Sequence, residues 1–173
     1  MDVNGGNAEK SRSSPDHIWL RTEVFTIGEV AQILAIPQTR VKNWTIGRPL
    51  WIIPTVRMAA GKGSRNLYSI RDVYAIAVAN HLIEDGFTTD AIRRLLGLDW
   101  WKEGGLGPLL RKNIFITANR REGWLAPTFH IGLTSWRDCA RREKGAVSKY
   151  ILDVGSLMRL VDKKAAKLRR RRK

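Results

Sequence analysis

Residues 30–71 carry seven basic side chains (Arg40, Lys42, Arg48, Arg57, Lys62, Arg65 and Arg71) and not one Asp or Glu. The same stretch holds residues suited to packing, Ile33, Leu34, Val41 and Trp44. A plain solvated surface rarely keeps one sign of charge over such a length while also supplying core residues. The combination describes a folded module whose positive face meets a polyanion, with double-stranded DNA the first candidate.

The rest of the chain sharpens that reading. Residues 163–173 hold eight basic residues, and the net charge of +15 less those eight leaves +7 on residues 1–162. The basic end alone therefore does not account for a pI near 10.8. Such charge suits nucleic acid or an anionic membrane surface. No apolar run approaches the roughly 20 residues needed to span a bilayer, so no membrane role is expected. The polar N-terminus lacks an apolar signal core, so export is not expected. Cys139 is the single cysteine, which precludes an intrachain disulfide and fits a reducing compartment. A cytoplasmic, nucleoid-associated location is expected.

Residues 1–17 are rich in Gly, Asn, Ser and Pro and read as a disordered leader. Residues 18–25 lead into the module. Thr26 with Glu29 forms a capping-box pattern, opening a helix with Ile27, Val30, Ala31 and Leu34 on one face. Ala35-Ile36-Pro37 breaks it, Pro37 being tolerated in the first turn of a second helix that runs to about Ile46. Val41 and Trp44 point inward there, while Gln38, Thr39, Arg40, Lys42 and Asn43 point outward, and Gly47 can close it. Two short helices joined by a tight turn make a helix-turn-helix. Residues 50–56 are β-favouring, with Pro54 marking an edge strand, and residues 65–68 return beside them across Gly61-Lys62-Gly63 as a wing. Ser69 with Asp72 caps a further helix closed at Gly86, and Thr88 opens a short one stopped at Gly97.

Over residues 25–96 the chain resembles the DNA-binding domain of the MerR superfamily of bacterial transcription regulators. The likeness lies in Phe25-Thr26-Ile27-Gly28-Glu29-Val30-Ala31, in Thr39-Arg40-Val41-Lys42-Asn43-Trp44, in Gly63-Ser64-Arg65-Asn66-Leu67-Tyr68-Ser69 with Asp72-Val73, and in Asp85-Gly86-Phe87-Thr88-Thr89-Asp90-Ala91-Ile92. The resemblance implies that Lys42 replaces a family arginine that contacts DNA, that Asn43-Trp44 replaces an aromatic pair, and that Arg65 is the wing arginine. Lysine keeps the charge but not the bidentate fork. Family members usually continue into a long antiparallel dimerisation helix. Here Gly104-Gly105-Leu106-Gly107-Pro108 interrupts any such helix, and a linker is expected at 98–112.

Beyond it, residues 113–117 and 124–130 read as a hairpin with a turn at residues 120–123, and residues 135–144 as a short charged helix. Residues 147–152 make a third strand, and Asp153 caps a last helix with Leu157, Leu160, Val161 and Leu168 on one face. The expected fold class is mostly α with small β, an N-terminal winged helix-turn-helix (residues 18–97) plus a small C-terminal α+β domain (residues 113–162). That second unit is near the lower size limit for independent folding, which self-association would relieve; it would pair subunits or receive a signal. Residues 163–173 read as a disordered, anion-binding tail.

Catalysis finds little footing. His17, His81 and His130 are scattered, none stands at metal-ligand spacing with Cys139 or a carboxylate, and no phosphate-binding glycine loop or nucleophile elbow occurs. No enzymatic activity, metal or cofactor is expected. DNA binding is assigned to Gln38, Thr39, Arg40 and Asn43 at base edges, with Lys42 on a phosphate. Lys62 and Arg65 would meet phosphates or the minor groove, Arg48 and Arg57 would serve as phosphate partners, and Tyr68 would position the wing or bond a phosphate. The function expected is a sequence-specific transcriptional regulator acting as a homo-oligomer, a dimer or higher. The alternative is an architectural or DNA-processing factor of a phage or mobile element, excisionase-like or a packaging subunit.

Overall fold

The computed structural model describes residues 24–46, 52–57, 59, 65–97, 115–120, 128–132 and 148–172. Strand β1 (Val24–Thr26) runs directly into helix α1 (Ile27–Leu34). The junction is local chemistry: the Thr26 amide and hydroxyl both donate to one Glu29 carboxylate oxygen, at 2.8 and 2.9 Å. Val30, Ala31 and Ile33 are buried, while Ile27 and Leu34 pack at the margin. Ala35 ends the helix in the left-handed region (φ 57°), and Ile36 donates back to the Ala31 carbonyl at 3.0 Å. The Pro37 carbonyl then receives the amides of Arg40 and Val41, so the proline sits just ahead of helix α2 (Gln38–Ile46).

The segment after α2 departs from the expected edge strand. Residues 52–56 are not a strand. Ile52 donates to the Trp44 carbonyl at 2.9 Å, and Ile52 and Pro54 are buried. The Thr55 amide and hydroxyl bond Asp72, both at 2.9 Å. This strap satisfies its backbone on α2 and on a buried carboxylate instead of a ladder. Among the described residues of this segment, Arg57 alone pairs with the returning strand, through a reciprocal bridge to Leu67. Strand β2 (Leu67–Ser69) lies antiparallel to β1, with Phe25 opposite Tyr68.

Ser69 and Asp72 close the second capping box, opening helix α3 (Ile70–Glu84). This helix is apolar nearly all round, the pattern of a central helix, and it is buried from Asp72 to Ala79. It ends in a Schellman closure: Gly86 takes φ 84° and donates to Ile83, and Phe87 donates to Leu82. Helix α4 (Thr89–Leu96) follows, its Ala91 amide capped by Thr88.

The C-terminal part is a three-stranded antiparallel sheet in the order β4-β3-β5, with β3 (Phe115–Arg120) central, β4 (Thr128–Gly132) and β5 (Ser148–Asp153) outer. The fold class is as expected, with β3 extending through Arg120, a residue that the sequence pattern places in the turn. The expected helix at residues 135–144, the leader, the linker and the closure at Gly47 lie outside the described residues.

Helix α5 (Val154–Arg172) holds the main surprise. Asp153 caps it as expected, accepting from the Ser156 amide at 2.9 Å. The helix continues through the residues read as a disordered tail. It packs across α1 and α3, and Val154, Met158, Val161 and Ala165 join the same core as Val30, Ile33 and Tyr74. The buried face is therefore rotated from the expected one, leaving Leu160 49% exposed. The Tyr74 hydroxyl donates to Asp162 across the α3–α5 junction. Burial pushes the Asp162 carboxyl above its ordinary range, opposed by the Tyr74 hydroxyl and the nearby Arg169 charge.

Candidate nucleic-acid interface

Helix α2 divides cleanly into two faces. Val41, Trp44 and Thr45 are buried, while Gln38, Thr39, Arg40, Lys42 and Asn43 are exposed. With side chains three and four apart sharing a face, Thr39, Lys42 and Asn43 stand together opposite the buried side. The inner face is fixed by more than packing. The Thr45 hydroxyl bonds the Val41 carbonyl and the Tyr68 hydroxyl, both at 3.0 Å, tying α2 to β2. A rigid helix showing a polar outer row has the geometry to enter a major groove.

Gln38 and Arg40 flank this row and are engaged within the protein. The Gln38 amide lies close to the Gly28 backbone, where an added Cβ would come within 3.3 Å of its nitrogen. Gly28 thus permits the close approach of α1 and α2. Arg40 turns toward α3, where one guanidinium nitrogen donates to Asn80 at 3.1 Å and Glu84 at 3.3 Å. Asn80 also donates to Glu84 at 3.0 Å. Both ends of the Arg40–Glu84 pair are about half exposed, at 43% and 55%, so the pair is readily broken or shared.

Tyr68 requires a correction. It is 0% exposed, with its hydroxyl held by Thr45, so it cannot bond a phosphate in this conformation. The cause is cross-strand register: Phe25 and Tyr68 are direct partners on β1 and β2, and both face the core. Tyr68 instead holds α2 from the core side through Thr45.

On the wing, Arg57 and Arg65 are exposed on the two sides of its base. The Ala59 amide donates to Asn66 at 2.7 Å, closing that base. Arg48 and Lys62 lie outside the described residues. Sequence reasoning missed Asp72 as the link between wing and α3. Its carboxyl is 3% exposed and accepts from Ser69 and Thr55. Burial raises its pKa, and those hydrogen bonds pull it back down. The signal was present only as a capping pattern, because Thr55 is remote in sequence.

Among the described residues no group of three His, Cys, Asp or Glu side chains could hold a metal ion, and no helix is long and apolar enough to cross a membrane.

The family model for MerR helix-turn-helix regulatory proteins matches residues 25–98. The chain is also similar to uncharacterized HTH-type transcriptional regulators of Mycobacterium bovis and Mycobacterium tuberculosis. It is 29% identical to each over 84 residues, which is 49% of this chain and 36% of theirs. The match thus spans little more than a third of those relatives' length.

Proposed function

We propose, from the premise that residues 25–98 are a MerR-type helix-turn-helix domain, that the protein is a sequence-specific DNA-binding transcriptional regulator. The observation that carries this reading is the outer row of α2, Thr39, Lys42 and Asn43, on a helix anchored by Trp44 and the Thr45–Tyr68 bond. Thr39 and Asn43 read base edges, and Lys42 holds a phosphate. Arg40 and Gln38 border the groove, while Arg57, Arg65, Arg48 and Lys62 supply the wing and shoulder contacts. One such module covers a small footprint, so useful specificity calls for two copies on spaced half-sites, and a homo-oligomer on DNA is part of the proposal. Its place of action is then the nucleoid.

Selection from randomised duplexes followed by footprinting tests the reading. A preferred site should emerge, occupied by two copies in light scattering. Asn43→Ala and Thr39→Ala should each relax preference at particular positions by about 1–3 kcal/mol. Lys42→Gln should weaken all duplexes alike. Recovery of no preferred sequence would remove the regulator. The high net charge and an ordered basic helix α5 favour the second reading, an architectural factor of a mobile element. Sequence-tolerant bending and growth along DNA would select it.

A further inference from the structure

Helix α5 has two unlike flanks. The one toward α3 carries Asp162, bonded to Tyr74 and under the influence of Arg169. The one toward α1 carries Lys164, Lys167 and Arg171, at spacings of three and four that align them along the helix. With Gln32 and Ala35 they line a groove of about 240 Å³, floored by Leu168.

Three cations beside one another repel, so their arrangement calls for an anion. Among the described residues no carboxylate pairs with Lys164, Lys167 or Arg171. The C-terminal end of α1 offers about half a negative charge, which one cation would satisfy. Gln32 is uncharged, and no acidic residue lines the groove. Docking also explains why the charges are held in place: Ala165 is fully buried and Leu168 packs on the core, so this flank is presented on a fixed helix.

The groove's position selects the anion. Ala35 is the turn between α1 and α2, so the basic flank lies beside the entry to the recognition helix. From Lys164 to Arg171 the helix rises roughly 10 Å, enough to follow neighbouring phosphates of one strand.

We propose that the Lys164–Lys167–Arg171 flank of α5 grips the phosphate backbone of the same duplex that α2 enters, as a second, sequence-independent contact. The inference rests on the reading of α2 as a recognition helix.

Fluorescence anisotropy of the full chain over a salt series tests it, using the duplex recovered by selection and a scrambled duplex of equal length. Lys164→Gln/Lys167→Gln/Arg171→Gln should lower the log–log salt slope by about 2–3 on both duplexes, near 0.9 for each phosphate that the variant no longer neutralises. The preference ratio between the duplexes should be unchanged. Lys164→Arg/Lys167→Arg/Arg171→Lys should keep the original slope. Gln matches Lys and Arg closely in helix propensity, and a melting curve verifies the fold. Should the triple variant melt early, Lys167→Gln and Arg171→Gln alone should each lower the slope by about 0.9. A folded variant with the parental slope overturns the proposal. Failure of the recognition-helix reading looks different: the parent protein then shows equal affinity for both duplexes, whatever its slope.

Discussion

Arg40 illustrates how a single side chain can belong to two surfaces. Its place at the margin of the α2 row and its contacts with Asn80 and Glu84 leave it poised between the proposed DNA-facing surface and α3. An exposed pair of this kind contributes at most about 1 kcal/mol, so the protein should tolerate its loss. Glu84→Gln removes the competing carboxylate and a negative charge near the backbone. DNA affinity should rise about two- to fivefold, the equivalent of 0.4–1 kcal/mol. Arg40→Ala should lower affinity without unfolding, and the gain from Glu84→Gln should shrink in its presence to the part due to the lost negative charge. A full gain in the double variant would show that Arg40 is not the beneficiary. This pairing was hidden in the sequence because its partners lie 44 residues apart. Tyr74 and Asp162 form a second long-range pair. The hydroxyl is one of the causes that hold the Asp162 pKa down against burial, so Tyr74→Phe should raise that pKa further. A carboxyl whose folded pKa is raised contributes proton-linked stability below the ordinary carboxylate range and loses it as pH rises through the folded value. Tyr74→Phe should move that loss to higher pH and cost about 1–3 kcal/mol at neutral pH, where the ionised carboxylate is left under-bonded. Titration of the Asp162 carboxyl by NMR, with urea melts across pH, checks both. An unshifted titration would break the link.

At the scale of elements, the two capping boxes were legible because their chemistry is local. Thr26 with Glu29 and Ser69 with Asp72 each need only three residues of spacing, and both form as read. The inward set of α2 was legible for the same reason: periodicity alone separates Val41 and Trp44 from Lys42 and Asn43. The strap was not. Residues 52–56 have strand-like composition, yet a buried carboxylate on α3 bonds Thr55 in place of a ladder partner. Propensity described the residues and missed the competitor for their hydrogen bonds. The strap therefore carries the wing. Thr55→Val keeps the shape but removes the hydroxyl that bonds Asp72 and Ser69, the latter at 2.7 Å. It should destabilise the protein by about 1–3 kcal/mol. Hydrogen exchange should quicken at Arg57 and Leu67, the wing's reciprocal bridge, more than in the middle of α3. Uniform acceleration in both places would mean the strap serves the core and not the wing.

At the scale of the whole molecule, one core among the described residues crosses the boundary expected near residues 98–112. Asp153 opens α5 as read, but residues 163–173, which cover its second half, read as a charged tail because they carry eight Lys and Arg. The apolar stripe of α5, Val154, Met158, Val161 and Ala165, is nonetheless buried in the core shared with α1 and α3. The helix was visible as periodicity, but of the expected face (Leu157, Leu160, Val161 and Leu168) only Val161 belongs to that stripe, and nothing in the sequence said which surface the helix would meet. The consequence is cooperative. A buried methionine in an independent C-terminal unit would influence only that unit, whereas Met158 lies 1% exposed in the core shared with α1, α2 and α3. Met158→Ala should therefore cost about 2–5 kcal/mol through reduced burial and the cavity left behind. The cost should register remotely, as faster hydrogen exchange at Val30 in α1 and Val78 in α3. Heat and urea should give one transition for both parts of the chain, shifted together by the substitution. Two separated transitions, with only the second shifted, would show that α5 merely rests on the helices that aim α2. A single shifted transition makes the C-terminal helix part of the structural support for α2, the helix proposed to enter DNA.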